Sequence, residues 1–582
     1  MSYPNIIDPN FNKEITQKFI KYKIPKKKKT FANVCFSKEF ELQLPQKLLS
    51  QVINPKTPYK GILIYHRIGA GKTCTAISIG EKWKHKRRII VVLPASLVGN
   101  FRGELRSKCA GDEYITDKDR IKLKTLHPSS DEYKEIIIKS DNKINQYYTI
   151  YSYNKFTELA KNDKINLRNS LLLVDEIQNM VSEDGTFYSV LYNTIHKAPQ
   201  ELRIVLLSAT PMFDRPVEIA LTMNLLRIPF ELPTGIEFEK MFIRVGKNNK
   251  TGQFTYSAKN LDIFKERVKG YISYFRGAPP YVFPETIIKY VKCEMSEFQY
   301  KSYVTVLHSE QTNIRDERTR TVRSFRKGQI LKLPNDFFIG TRLISNVAFP
   351  NKNINEKGFK SFVGKALELE NLQNYSIKFY KIIKKINTSP GPVFVYSSFL
   401  EYGGLKSFAK VLEAQGYKDY REFGEGRKRF AFMSGDETAK LKDEIKAVYN
   451  QADNVKGKKL KVLLLSPSSR EGLSLFAVRQ AHIMEPYWNI SRLQQIIGRG
   501  SRLCSHKNLP EEDRNLKVYI YLATNENEKE TIDQYIAKLA KQKDKLINQF
   551  ELAMKEVAID CELNKNANVF PDLGEEEIKC DP

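Results

Sequence analysis

Short runs of apolar residues recur along this chain, each bounded by turn-forming or polar residues. In the first half they are GILIY (61–65), RIIVVLP (88–94), YTIYSY (148–153), LLLVDE (171–176) and RIVLLSAT (203–210). They are rich in Ile, Val and Leu without regular alternation, which predicts parallel strands that are buried on both faces. Helix-like segments such as TCTAISIGEKWKHK (73–86) lie between several of them, so the pattern predicts β-α-β repetition.

A second series of such runs follows, with a plausible helix at 439–451 within it. Its members are PVFVYSS (392–398), KVLLLSP (461–467), AHIME (481–485) and KVYIYLAT (517–524). The sequence therefore predicts an α/β protein with two parallel-sheet domains, around 50–225 and 375–545. A mixed segment with the basic stretch 314–328 separates them, and the acidic last twelve residues are expected to be loose.

Charge narrows the choice of partners. The chain has 582 residues, of which 41% are hydrophobic, and carries 95 Lys and Arg against 67 Asp and Glu, a net charge of +28. The hydrophobic fraction is typical of a globular protein with a large core, and the positive charge favours nucleic acid over other partners. A merely solvated basic surface stays open as the alternative. No apolar run is long enough to predict a membrane span.

The seven cysteines are scattered along the chain, and none forms a C-x-x-C pair. This spacing predicts no zinc site. Scattered cysteines in odd number favour a reducing compartment.

The stretch HRIGAGKT (66–73) resembles a phosphate-binding loop, although His66 stands where the usual pattern G-x-x-x-x-G-K-[ST] has glycine. A strand is predicted before it and a helix after it, which is the context such a loop requires and which favours a nucleotide site over a chance match. Gly69 and Gly71 permit close approach to phosphate, Lys72 can reach the β- and γ-phosphates, and Thr73 can hold Mg²⁺. The residues predicted to bind the nucleotide here are His66, Arg67, Ile68, Gly69, Ala70, Gly71, Lys72 and Thr73. His66 is expected to point outward.

Two carboxylates end the strand in LLLVDEIQN, Asp175 and Glu176. Beside a phosphate loop, Asp175 can hold Mg²⁺ and Glu176 can accept a proton from attacking water. The alternative is an ordinary acidic strand end. In RLQQIIGRGSRLCSH (492–506), Arg499 and Arg502 are predicted on one face of a helix turn, where they can act as fingers on the γ-phosphate; a solvated arginine-rich helix is the alternative.

Together these segments resemble the motifs of superfamily 2 helicases, in that family's order over about 450 residues. GAGKT resembles motif I, DEIQ the DExx box, SAT (Ser208, Ala209, Thr210) motif III, REGLSL (470–475) motif V and QIIGRGSR (495–502) motif VI. The resemblance implies two RecA-like lobes that bind ATP and Mg²⁺. It assigns catalysis to Lys72, Glu176, Arg499 and Arg502, nucleotide contacts also to Asp175 and Gln495, and coupling to Gln178, Ser208, Ala209, Thr210, Glu471 and Gly472. Gln46 is a candidate for reading adenine, or lies in a loop.

The chain resembles most the branch of large DNA viruses, which includes poxvirus nucleoside triphosphate phosphohydrolase I and the early transcription factor small subunit. The segments YHRIGAGKT, DEIQN, YISYFRG (271–277), RLISNVAFP (342–350) and 485–506 carry this resemblance. In that branch His66 is a familiar variation of the loop. The layout implied is a basic N-terminal region (1–50), lobe 1 (51–225), a linker (226–274), lobe 2 (275–545) with an insertion at about 302–372, and a C-terminal tail (546–582).

The function implied is a nucleic-acid-dependent ATPase that translocates on DNA, with RNA open as a substrate, in viral transcription. The viral transcription machinery is the expected partner, without a membrane, and the virion and host cytoplasm are the expected location. Two alternatives remain: a replicative or repair helicase that separates strands, and a non-catalytic scaffold subunit.

Overall fold

The computed structural model describes residues 3–26, 30–36, 40–128, 130–182, 185–247, 254–317, 337–469 and 473–581. Glu471 and Gly472 lie outside this range, as does most of the basic stretch 314–328. The chain divides into two compact units, unit 1 (1–279 with 545–582) and unit 2 (280–544). Within the described residues, no helix combines the length and the apolar character that a membrane crossing requires.

Unit 1 is built on a parallel sheet in the order β3-β2-β4-β5-β1-β8, with a separate β6-β7 hairpin. The strands are β1 Gly61–His66, β2 Arg88–Leu93, β3 Tyr148–Ser152, β4 Ser170–Val174, β5 Arg203–Ser208, β6 Ile243–Lys247, β7 Phe254–Ala258 and β8 Ile272–Phe275. Every residue of β1, β4 and β8 is buried, which is why these segments read as unbroken apolar runs.

Helices cover both faces of this sheet and fill the sequence between its strands. They are α1 Phe11–Lys18, α2 Phe31–Cys35, α3 Leu44–Val52, α4 Lys72–Trp83, α5 Val98–Leu105, α6 Asp117–Thr125, α7 Asp131–Asn145, α8 Tyr153–Lys161, α9 Thr186–Lys197, α10 Val217–Asn224, α11 Gly235–Phe242 and α12 Leu261–Val268. The N-terminal region is part of the unit, since Phe11 and Ile15 are buried in the same core cluster as Ile62 and Ile64 of β1.

Unit 2 is built on a second parallel sheet, in the order β11-β12-β13-β10-β14-β15-β9. Its strands are β9 Glu285–Glu294, β10 Val393–Tyr396, β11 Lys418–Asp419, β12 Arg429–Met433, β13 Val462–Leu465, β14 Gln480–Ile483 and β15 Asn515–Thr524. The helices are α13 Glu297–Glu317, α14 Ile339–Asn346, α15 Glu356–Ser361, α16 Leu369–Tyr375, α17 Ile377–Asn387, α18 Leu405–Ala414, α19 Tyr420–Phe423, α20 Ala439–Tyr449 and α21 Ile490–Ile497. The α/β class and the parallel sheets predicted from the sequence are confirmed.

The C-terminal tail (546–582) belongs to unit 1. Its last twelve residues, expected from the sequence to be loose, are attached to that unit, since Cys580 pairs with Cys561 and the N–H of Asp581 donates to the carbonyl oxygen of Glu556 at 2.8 Å. Helix α22 (Ile532–Glu556) carries the chain back into unit 1, where α23 (Cys561–Asn568) follows. Ile559 and Leu563 are buried in the core cluster of unit 1. The segment 226–274, expected to be a linker, also lies in unit 1 and contains the β6-β7 hairpin and most of β8. Strand β8 has only four residues, and the C-terminal segment is short. Neither contains a hydrophobic pattern long enough to predict from the sequence that it belongs to unit 1.

The cysteines do not agree with the expectation of a reducing compartment. Cys74 pairs with Cys109 and Cys561 pairs with Cys580 as disulfides, while Cys293 is free and buried. The partners lie 35 and 19 residues apart along the chain. Their approach depends on the packing of α4 and α23, which a count of spacings cannot reveal.

Candidate ATP site and arginine segment

The phosphate loop joins the end of β1 to the start of α4, as the sequence indicated. Gly69 and Gly71 have φ angles of 84° and 75°, the left-handed region that favours glycine. A Cβ atom on Gly71 would in addition lie 2.5 Å from Nε2 of Gln46. The backbone conformation therefore favours glycine at this position, and a side chain there would displace the amide group of Gln46.

The start of α4 suits an anion. The first N–H groups of a helix have no acceptor within the helix, and its N-terminal end carries partial positive charge. No acidic residue lies in the first turn of α4, which begins with Lys72 and the half-buried Thr73. These are the features that a triphosphate with its Mg²⁺ needs at this point.

Gln46 lies at the loop, but its side chain is engaged with the protein. Its Nε2 donates to the carbonyl oxygen of Gly71 at 3.1 Å, and its Oε1 accepts from the backbone N–H of Gln43 at 2.8 Å. The sequence suggested Gln46 as a reader of adenine. In this structure Gln46 connects the beginning of α3 to the end of the phosphate loop, and its role in reading adenine stays a prediction.

His66 is fully buried, so the expectation that it points outward is wrong. It is the last residue of β1, and its Nε2 lies 3.0 Å from Oγ of Ser273 in the neighbouring strand β8. Burial, together with the charge of Lys72, lowers the pKa of His66 to about 3, so the imidazole is neutral at physiological pH. The side chain of Arg67 is 44% exposed and lies 3.7 Å from the carboxylate of Glu551.

The first two residues after β4 are Asp175 and Glu176, and Glu176 lies beside Lys72 at the end of the phosphate loop. Glu176 has a φ of 51°, and its carbonyl oxygen accepts from the Tyr153 hydroxyl at 2.8 Å. Its Oε1 lies 3.7 Å from Nζ of Lys72, and both side chains are largely buried. Asp175 is buried, and its Oδ1 accepts from the N–H of Glu176 at 2.9 Å. The structure thus brings together Lys72 and Glu176, which lie more than 100 residues apart in the sequence.

A line of hydrogen bonds continues from Glu176 to the end of β5. Gln178 Nε2 donates to Glu176 Oε2 at 2.6 Å, and Ser208 Oγ donates to Gln178 Oε1 at 2.7 Å. Ser208 Oγ also accepts from the N–H of Thr210 at 3.0 Å. Side chains from three of the candidate segments, including Lys72, therefore form one connected polar network.

The arginines of unit 2 do not lie on a helix face, because α21 ends at Ile497. Gly498 follows as the cap residue, and Arg499 and Arg502 lie in the turns after it. A glycine-flanked segment, GRG, favours such an ending over continued helix. Gln495 lies on α21 itself and is half-buried.

Both arginines contact the chain segment that follows β13. Arg499 is 8% exposed, and its Nη1 donates to Ser469 Oγ at 2.5 Å. Arg502 Nη2 donates to the carbonyl oxygen of Leu473 at 3.3 Å, and the N–H of Leu475 donates to the carbonyl oxygen of Arg499 at 2.8 Å. Strands β10, β13 and β14 end in register, so these contacts lie at the carboxyl edge of the sheet.

Sequence reasoning missed Glu485, which lies at the same edge and is 2% exposed. Its carboxylate accepts from Ser397 Oγ at 3.1 and 3.0 Å and from Asn346 Nδ2 at 3.2 Å. Glu485 thereby ties α14, from the inserted region, to the end of β10. The strand-end position of Glu485 in AHIME was the available signal, since a buried acid at a strand end needs partners.

Several known proteins are similar to this chain in sequence. A family model described as the type III restriction enzyme, res subunit, matches residues 28–213. A putative ATP-dependent RNA helicase of Acanthamoeba polyphaga mimivirus is 52% identical over 100% of this chain and 99% of its own length. A termination factor NPH-I homolog of African swine fever virus is 28% identical over 87% of this chain and 77% of its own.

A solved structure, the Pyrococcus furiosus Hef helicase domain, aligns with 82% of this chain and 95% of its own, at 14% identity and a TM-score of 0.40. That likeness is too distant to add to the fold, which rests on the strand order itself. With half of its residues shared along the full length of a viral relative, this chain belongs to the superfamily 2 ATP-dependent helicases of large DNA viruses.

Proposed function

We propose that this ATPase translocates along DNA during viral transcription, in initiation or termination. The observation that carries the proposal is the network from Lys72 through Glu176 and Gln178 to Ser208. It connects the group expected to hold phosphate, the group expected to activate water and a third segment at the next strand end. Such a connection is what coupling of hydrolysis to another event requires.

In the proposed site, the loop N–H groups and Lys72 bind the triphosphate, and Thr73 and Asp175 hold Mg²⁺. The metal ion neutralises phosphate charge and orients the reacting group. Lys72 is paired with Glu176 in this structure. When phosphate attracts Lys72, the Glu176 carboxylate is released to accept a proton from the attacking water. Arg499 and Arg502 stabilise the charge that develops during transfer of the phosphoryl group.

DNA is the proposed substrate for translocation because of the net charge of the chain and the name of one viral relative. The net charge of +28 favours a phosphate backbone, and the African swine fever virus relative is named as a termination factor. RNA is the second candidate, since the mimivirus relative is named as a putative RNA helicase. The transcription machinery is the proposed partner, and the virion and host cytoplasm are the proposed locations.

The test measures ATP hydrolysis with duplex DNA, single-stranded DNA and single-stranded RNA at equal nucleotide concentration. We expect DNA to stimulate turnover most, and Lys72→Ala to show no turnover with any of them. Stimulation by RNA alone would replace DNA by RNA as the substrate for translocation. Turnover indifferent to all three would contradict translocation and favour the scaffold alternative.

Salt and strand displacement separate the remaining alternatives. If about six phosphates are neutralised, affinity falls ~10³-fold between 50 and 200 mM salt. Duplex DNA that stimulates ATPase without strand displacement supports translocation, whereas ATP-dependent displacement of a labelled strand supports the replicative or repair helicase.

A further inference from the structure

The C-terminal segment of the chain is bound to the edge strand of the ATP-binding sheet. The N–H of Ile559 donates to the carbonyl oxygen of Ile272 at 2.9 Å. Asn568 accepts from the N–H of Arg276 at 2.8 Å and donates to the carbonyl oxygen of Tyr274 at 3.2 Å. These contacts connect the C-terminal segment to the beginning of β8, to its third residue and to the residue that follows the strand.

Strand β8 in turn supports the phosphate loop directly. The N–H of Arg67 donates to the carbonyl oxygen of Phe275 at 3.0 Å. Gly277, with a φ of 98°, lies so close to the loop that a Cβ atom on it would be 3.0 Å from Cα of Ala70. Hence the segment 271–277 is packed between the phosphate loop on one side and the C-terminal segment on the other.

A buried line of polar side chains crosses this layer. Asp560, which is fully buried, accepts from Ser273 Oγ at 2.6 Å, from the N–H of Tyr274 at 2.9 Å and from Asn564 Nδ2 at 2.9 Å. Ser273 Oγ lies 3.0 Å from His66 Nε2. His66, Ser273 and Asp560 come from β1, β8 and the turn before α23.

The hydrogen-bond inventory fixes which ring nitrogen of His66 carries the proton. An ionised carboxylate only accepts, so the single hydroxyl proton of Ser273 goes to Asp560. Ser273 Oγ can then only accept from His66, whose Nε2 must therefore be protonated. His66 Nδ1 is left as a bare acceptor, buried and without a hydrogen-bond partner among the described residues.

We propose that Asp560 and Ser273 are positioning residues for the phosphate loop, which hold His66 as a neutral imidazole with its proton on Nε2. The neutral form of His66 matters because the ring lies near Lys72. An imidazolium there would repel the ammonium group that binds phosphate. Without the Ser273 hydroxyl, the imidazole loses its acceptor and the ring is free to change tautomer. The inference deepens the proposed function and rests on the assignment of the ATP site.

The first test observes the ring itself in the unmodified protein. Nitrogen-15 NMR of labelled histidines at pH 8 distinguishes a proton on Nε2 from one on Nδ1. The chain has seven histidines, and the signal absent from His66→Gln identifies the relevant one. We expect the Nε2–H form without nucleotide. The Nδ1–H form would overturn the proposal, and this result does not depend on ATP binding.

The second test is Ser273→Ala, which removes a buried hydroxyl with two side-chain partners. The control is Ser140→Ala, which removes another buried hydroxyl of unit 1 that has a side-chain partner. We expect Ser273→Ala to lose the Nε2–H signature and to raise both the dissociation constant and the KM for ATP about fivefold, the effect of one hydrogen bond. Its kcat is expected to stay within about twofold, and Ser140→Ala should change none of these quantities.

The outcomes separate this inference from the proposed function. If Lys72→Ala binds ATP normally, the site assignment fails, whatever the tautomer of His66. If Lys72→Ala loses ATP binding while Ser273→Ala keeps both the wild-type tautomer and the wild-type KM, the ATP site stands and the positioning role is overturned. A fall in kcat without a rise in KM would also overturn it.

Discussion

The two lobes hold their candidate catalytic groups in different ways. In unit 1, Lys72 is paired with the carboxylate of Glu176, whose other oxygen accepts from Gln178. In unit 2, Arg499 donates to Ser469 Oγ and Arg502 donates to the carbonyl oxygen of Leu473. Unit 1 therefore brings a candidate cation, a candidate base and Gln178 into one network, whereas the candidate arginines of unit 2 contact the chain segment that follows β13.

This difference leads us to expect different roles for the two units in ATP binding and hydrolysis. We expect phosphate to compete with Glu176 for Lys72, so that nucleotide binding in unit 1 changes the surroundings of the candidate base. A guanidinium group carries several N–H donors in one plane, so Arg499 can keep its hydrogen bond to Ser469 and still donate to an anion. We expect substitutions in unit 1 to affect binding, chemistry or coupling according to the residue, and substitutions of the arginines to affect turnover alone.

The largest effect is expected from Lys72→Ala. The variant loses the cation at the β- and γ-phosphates, so ATP hydrolysis should become undetectable and ATP binding should weaken. Radioactive phosphate release and equilibrium binding of a fluorescent ATP analogue measure the two effects. Lys82→Ala, an exposed lysine on the same helix, is the control and should be unchanged. Unimpaired hydrolysis in Lys72→Ala would remove the site from unit 1.

Next in size is Arg499→Ala, in which kcat should fall by roughly 10³ to 10⁵, with the ATP dissociation constant within a few-fold of wild type. Arg499→Lys should recover little, because an ammonium group lacks the planar fork of guanidinium. Arg502→Ala should behave in the same way. Single-turnover hydrolysis provides the measurement, and Arg427→Ala in an exposed turn of unit 2 is the control. An equal loss of ATP binding would erase the contrast between the units.

Glu176→Gln should slow hydrolysis by about 10² to 10⁴ while ATP still binds. Glutamine keeps an oxygen that can accept from Gln178, but it cannot take a proton from water. Comparison of single-turnover rates with binding of the ATP analogue tests this, with Glu158→Gln on α8 as an exposed control. If ATP binding is lost together with hydrolysis, Glu176 serves only as the structural partner of Lys72.

The smallest effect concerns Ser208→Ala, which breaks the network at Gln178 and leaves the pair of Lys72 and Glu176 intact. We expect stimulation of the ATPase by nucleic acid to fall about tenfold, equivalent to ~1.4 kcal/mol, with the unstimulated rate within about twofold. Ser170→Ala, a buried serine in the adjacent strand β4, is the matched control. Normal stimulation in Ser208→Ala would limit the network to a structural role.

The local structure of the candidate ATP site in unit 1 could largely be predicted because its signals are local. The left-handed glycines, Lys72 and the carboxylates after β4 each follow a strand whose burial on both faces leaves an unmistakable apolar run. Parallel strands place their carboxyl ends at one edge, so the approach of Lys72 and Glu176 follows from the order of elements. The prediction of a helix at Arg499 was wrong, also for a local reason, since the glycines on both sides of Arg499 favour the end of α21 at Ile497.

The sequence by itself determined the α/β class, the parallel sheets and the identity of the residues around the phosphate loop, because burial and backbone conformation restrict residue types position by position. Only the tertiary structure decided that His66 points inward and that the C-terminal segment belongs to the ATP-binding unit. Ser273 lies 207 residues from His66, and Asp560 a further 287 residues along the chain. A buried hydrogen bond over such separations leaves no periodic pattern in the sequence. Each serine or aspartate involved needs only one partner, and only the fold determines which residue lies close enough to be that partner.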